Sequence, residues 1–108
     1  MTEYRRWYDK DPILKEALEL LRLSDDDDKS QAASFMEKLQ EQVAADVIER
    51  IYDIVTEYNG KGNRWYDSDP VMLKAIELLR VAPPKTQRKA ALKLLLALEQ
   101  KSFDNLEL

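Results

Sequence analysis

Two short stretches of this chain gather the side chains best suited to hold a ligand. Arg6-Trp7-Tyr8-Asp9-Lys10-Asp11-Pro12 returns as Arg64-Trp65-Tyr66-Asp67-Ser68-Asp69-Pro70. Each copy offers a guanidinium, an indole, a phenol and two carboxylates. Two such sets could form a paired aromatic and acidic pocket for a cationic or planar ligand. The same residues also suit a structural task, clamping the start of a helix. Trp and Tyr would fold over it, the Arg would lie on a ring or pair with Asp9 or Asp67, and Asp11 or Asp69 would cap the first turn. Duplication within one chain favours the structural reading.

Three further groups could carry chemistry. The run Asp25–Asp28 could attract a divalent cation, but it lacks the alternating ligand spacing and the glycine of a calcium loop. A solvated helix start, favoured by the helix dipole, accounts for it. Asp46, Glu49, Asp53 and Glu57 fall on one helical stripe with Arg50 among them. With Glu16 and Glu19 opposite, they could hold Mg²⁺ as in all-helical nucleotide phosphohydrolases. Arg50 points instead to ordinary pairing on a wet face. Lys85, Arg88, Lys89 and Lys93 form a basic stripe that could meet phosphates, although no aromatic residue interleaves it. No pattern points to a bound metal or cofactor.

The absences exclude more than these motifs suggest. The chain has no Cys and no His, hence no thiolate nucleophile, disulfide, imidazole base or His-ligated zinc. The first residues are charged and lead into no apolar segment, so no signal peptide is expected. The most apolar run, Leu94 to Leu98, is too short to cross a bilayer. A cytoplasmic protein without membrane contact is the expectation. Charge is uneven: residues 1–58 carry 8 Lys/Arg against 15 Asp/Glu, and residues 59–108 carry 9 against 6. That asymmetry suits a basic binding face or two surfaces that attract each other.

The positioning elements read as helices in a single domain over residues 1–108, all-α. Asp11-Pro12 is a cap followed by proline at the first helical position. It opens helix A, which runs to about Leu23 with Ile13, Leu14, Ala17, Leu18, Leu20 and Leu21 on its apolar face. Apolar residues recur from Ala32 to Tyr58, long enough to expect two helices, B and C, with a break near Glu41 to Asp46. Asn59-Gly60-Lys61-Gly62-Asn63 is a linker. Helix A′ runs from Asp69-Pro70 to Val81, and B′ from about Lys85 to Lys101 after Pro83-Pro84.

Residues 6–42 align with 64–100 without a gap, with 15 identities in 37 positions. The chain therefore reads as a duplicated A–B hairpin in a five-helix bundle, A–B–C–A′–B′, with approximate two-fold symmetry. The repeated Arg-Trp-Tyr-Asp-x-Asp-Pro signature resembles that of uncharacterised small all-helical bacterial proteins, a resemblance that implies no activity. No counterpart of helix C follows B′. Ala91, Leu94, Leu95 and Leu98 make one apolar face of B′, yet Leu92 and Leu96 point elsewhere, so helix C, the tail or a second subunit must cover them. These features favour a non-catalytic module acting through protein contacts or self-association. The alternatives are a nucleic-acid-binding module using the basic stripe and a Mg²⁺-dependent phosphohydrolase.

Overall fold

Asp11 and Asp69 begin the two A helices in the same way. The Asp11 carboxylate accepts from the backbone N–H groups of Ile13 and Leu14 at 3.0 and 3.3 Å, and Asp69 accepts from those of Val71 and Met72 at the same distances. Each is followed by a proline, which has no N–H to satisfy. In the computed structural model, which describes residues 6–58, 64–104 and 106, these caps open α1 (Pro12–Arg22) and α4 (Pro70–Val81). Between them lie α2 (Asp26–Glu37) and α3 (Ala45–Tyr58), and α5 (Pro84–Gln100) follows α4. The fold is an all-α five-helix bundle. The predicted linker, 59–63, lies outside the described residues, as does Leu108.

Local chemistry ends the helices where the pattern predicts, with one shift. Asp25 caps α2 by accepting from the Asp28 N–H at 2.8 Å, which gives the four-aspartate run its place at a helix start. The break between B and C comes earlier than Glu41: α2 ends at Glu37, and a 3-10 turn over Lys38–Gln42 leads into α3. Leu39 is buried in that turn, so the apolar periodicity runs through it although the α-helix does not. Past α4, the Gln87 side-chain amide donates to the carbonyls of Leu79 and Arg80 at 3.0 and 3.1 Å. It thus ties the last turn of one helix to the first turns of the next, the Leu79 carbonyl also accepting from the Ala82 N–H at 3.4 Å. Lys101 takes a left-handed conformation at φ 53°, and the Ser102 N–H reaches back to the Ala97 carbonyl, the usual way to close a helix C-terminus.

Packing departs from a simple pair of hairpins. α1 lies along α5 and α4 lies along α2, while each A helix touches its own B helix far less. The repeat copies are interleaved around one core. Leu14, Ala17, Leu18 and Leu21 of α1 join Ala90, Ala91, Leu94, Leu95 and Leu98 of α5, with Met72, Ile76 and Leu79 of α4 and Ala32, Ala33, Phe35 and Met36 of α2. The tail folds back onto this core through Phe103 and Leu106, and Lys38 Nζ donates to the Leu106 carbonyl at 3.2 Å.

Helix α3 breaks the symmetry. It packs on α4 and has no comparable contact with α1. Leu73 and Leu78 of α4 are buried at 1% and 0% exposure. Their counterparts on α1 are Lys15, exposed, and Leu20, half-buried. The repeat therefore carries a lysine where no helix covers it and a leucine in the matching place on the covered helix. Leu73→Ala should cost about 2–5 kcal/mol through lost burial and the cavity left behind. Lys15→Ala should stay within about 0.5 kcal/mol. Urea denaturation of the two variants checks the difference.

Candidate binding cleft

The signature does not sit only at the helix start. Tight turns, with Asp9 N–H to the Arg6 carbonyl at 3.1 Å and Asp11 N–H to the Tyr8 carbonyl at 3.3 Å, fold residues 6–11 back along the flank of α1. Arg6 there reaches Glu19, whose place in α1 lies about 12 Å along the helix from its start. In the second copy Arg64 Nη1 donates to Glu77 Oε1 at 3.2 Å. The guanidiniums also grip the signature aspartates. Arg6 Nε donates to Asp9 Oδ2 at 3.1 Å and its Nη2 lies 2.9 Å from Oδ1. Arg64 meets Asp67 at 3.0 and 2.9 Å in the same two-pronged way. Each guanidinium carbon then lies 4.8 Å from the centre of its own tyrosine ring, Tyr8 or Tyr66. Each tyrosine meets its tryptophan edge-on, with ring centres 5.5 and 5.3 Å apart and planes at 89°.

The Arg–Asp pairs, the Arg–Tyr contacts and the Asp11 and Asp69 caps are all made, and a further contact joins the copies. Trp7 Nε1 donates to the Tyr66 hydroxyl at 3.2 Å. Around this bond opens a cleft of about 610 Å³ lined by Arg6, Trp7, Tyr8, Arg22, Arg64, Trp65, Tyr66 and Arg80. Its walls are guanidinium and aromatic ring. Asp9 and Asp67 are turned to their arginines, so the acidic pocket for a cation anticipated from the motif is not what forms. The sequence reading also missed Arg22 and Arg80, which stand in the last turns of α1 and α4. Both are identities between the copies, as are Glu19 and Glu77. Charged residues kept in both copies outside the signature were the available signal.

The four arginines divide into two kinds. Arg6 and Arg64 are committed to carboxylates. The hydrogen bond with Arg6, aided by its charge, holds the Asp9 carboxyl below its ordinary 3.8 and raises the Arg6 guanidinium in return. Burial works against the charge of Arg64, but Asp67, Tyr66 and Glu77 together keep it more firmly protonated than usual. Arg22 and Arg80 are looser, with side chains 51% and 48% exposed. Arg22 Nη1 lies 3.9 Å from Glu19 Oε2, and Arg80 Nη1 lies 3.4 Å from Glu77 Oε2. A guanidinium carries five N–H donors, so these two arginines have the capacity to take an anion from the cleft. Tyr66 is pushed above its ordinary 10.0 chiefly by burial, against the opposing effect of the Trp7 N–H and Arg64.

The other candidates lie apart from the cleft. Lys85, Arg88 and Lys89 are exposed along α5, Lys93 is half-buried, and none lines it. Asp46, Glu49, Asp53 and Glu57 form an exposed face of α3. Glu19 is taken up by Arg6 and Arg22, and α3 lies over α4 rather than facing α1. Among the described residues no three acidic side chains converge as a metal site would require. No described helix is long and apolar enough to cross a membrane. Comparison with known proteins gives no match, whether to family models, to curated proteins or to solved structures.

The two clusters differ in burial, and stability should register it. Asp67 and Glu77 side chains are 1% and 2% exposed, against 13% and 32% for Asp9 and Glu19. Arg64→Leu strips buried Asp67 of its arginine and leaves buried Glu77 with Arg80 alone, and about 3–5 kcal/mol of destabilisation is expected. Arg6→Leu leaves wetter partners and should cost distinctly less, nearer the values of exposed pairs. Equal losses in chemical denaturation would contradict this ranking.

Proposed function

We propose that this protein is a non-catalytic binding module whose cleft, between the two signature copies, holds a small anionic molecule with a flat body. The observation that carries the reading is the composition of the wall: four arginines and four aromatic rings, drawn equally from both copies. Asp9, Glu19, Asp67 and Glu77 balance the four arginines, and Arg22 and Arg80, half exposed and 3.9 and 3.4 Å from their carboxylates, form the accessible guanidinium rim. Guanidinium forks suit carboxylate and phosphate oxygens, and the half-buried rings of Trp7 and Trp65 suit a planar body, while Tyr8 and Tyr66 lie buried beside their arginines. The volume falls in the usual range for small-molecule sites. Binding is favoured over acid–base chemistry by the groups themselves. Arginine keeps its proton, indole only donates, and Tyr66 is displaced upward, away from neutrality.

Calorimetric titration with a panel of aromatic carboxylates and nucleotides tests the reading. A binder should lose at least tenfold in affinity on the double change Arg22→Gln and Arg80→Gln, since each charge-assisted hydrogen bond contributes on the order of 1.5–3 kcal/mol. The melting temperature should fall only modestly, because Glu19 and Glu77 keep Arg6 and Arg64 as partners. Unchanged affinity in the double variant would place the ligand elsewhere.

A second reading, self-association through α5, is favoured by Leu92 and Leu96, which stay 44% and 46% exposed. Among the described residues neither α3 nor the tail covers them. Lys89 precedes this pair and Glu99 follows it on the same exposed stripe. An antiparallel pairing of two α5 helices would bury the leucines and set each Lys89 against Glu99 of the second copy. Light scattering should then show a dimer that Leu92→Glu dissociates; a monomer at high concentration overturns this reading.

A further inference from the structure

We infer that the ligand of the cleft is itself two-fold: a molecule with two flat rings and two anionic groups, one ring and one anion for each repeat copy. The inference rests on the anion-binding reading above and adds the symmetry of what is bound. Every residue in the wall has its counterpart there: Arg6 with Arg64, Trp7 with Trp65, Tyr8 with Tyr66, and Arg22 with Arg80. The halves match in geometry as well as in residue type. Guanidinium-to-tyrosine distances are 4.8 Å in both, and the Trp–Tyr centroid distances differ by only 5.5 against 5.3 Å at the same 89°. A molecule lying across this pseudo-axis meets the same residue types twice, although the Trp7–Tyr66 bond has no counterpart between Trp65 and Tyr8.

Charge gives the same count. Arg6, Asp9, Glu19 and Arg22 sum to zero in one half, as do Arg64, Asp67, Glu77 and Arg80 in the other. Each half is thus neutral and keeps one half-exposed guanidinium, Arg22 or Arg80, with which to grip a single anionic group; neutral halves do not suit a dense polyanion. A one-headed ligand would leave one outer arginine and one aromatic pair unused. Once the first head is bound, the second binds as an intramolecular event, so the two-headed molecule gains far more than its halves.

Phosphodiester and carboxylate heads share this chemistry, and titration calorimetry separates them. The probes are a cyclic dinucleotide with its mononucleotide half, and naphthalene-2,6-dicarboxylate with 2-naphthoate, on the intact chain. The expected result is one two-headed ligand per chain, about 100-fold or more tighter than its half. Arg22→Gln and Arg80→Gln should each reduce that affinity by a similar factor and erase most of the advantage over the half. Whichever pair shows this names the head group. A half-ligand that binds within tenfold of its two-headed parent, in a manner still dependent on Arg22 or Arg80, overturns the two-fold inference and leaves the anion-binding cleft standing. Binding insensitive to both arginines, or no binding by any of the four probes at millimolar concentration, overturns both. Thermal melts of the two variants confirm that lost affinity is not lost fold.

Discussion

Two carboxylates sealed from water set the terms for this structure. Asp67 and Glu77 are almost fully buried, and a buried charge is tolerable only when paired and hydrogen-bonded. Arg64 supplies the pairing. It binds Asp67 with two prongs, spends another N–H on Glu77, and stands 4.8 Å from the centre of the Tyr66 ring. Because Asp67 belongs to the turn before α4 and Glu77 to its middle, one guanidinium ties the signature to the helix flank. The tyrosine follows the arginine, and the tryptophan follows the tyrosine edge-on. The wall of the cleft is thus the outer surface of an ion cluster that the core requires on its own account.

The first copy builds the same cluster under easier conditions. Asp9 and Glu19 are partly wetted, and no helix lies on α1 as α3 lies on α4. Water shares the solvation of those charges, so the arginine is less indispensable there. Tyr8 shows the relaxation. Its hydroxyl accepts from Arg6 and donates to Glu19, inside its own copy. The Tyr66 hydroxyl instead accepts from Trp7 of the other copy. The link between the copies runs in one direction, from the looser half to the more buried one, and Trp65 is left without the equivalent bond. Near-identical sequence yields two environments because one extra helix covers only one of them.

Most of the fold was legible because short-range chemistry wrote it. The Asp-Pro caps, the helical spacing of Leu14, Ala17, Leu18 and Leu21, and the break before helix C are local signals, and each has its counterpart in the structure. What could not be read was pairing. Helix α1 rests on α5 and α4 on α2, whereas a repeated A–B unit suggests that each hairpin packs on itself. Apolar faces state that a helix must be covered; they do not state by which neighbour. The cleft escaped for the same reason. Its walls come from both copies, and Arg22 and Arg80 are ordinary solvent-side residues until the signature folds back beside them. Leu92 and Leu96 were legible in the opposite sense, as leucines on the wrong side of an otherwise sound helix.

Crossed pairing also explains why the cleft needs both copies. One signature on one helix would present an arginine, a tyrosine and a tryptophan in series along a convex flank, with water on the far side of every ring. Such a surface has no concavity in which a ligand could lose its hydration, and exposed charges there would be screened. Bringing the second flank opposite turns two convex surfaces into one recess, joined by the Trp7–Tyr66 bond and lined by both outer arginines. The copies need not be identical for this, but the residues facing the recess must be. They are: all four wall pairs are identities, while covered and uncovered positions such as Leu73 and Lys15 have diverged.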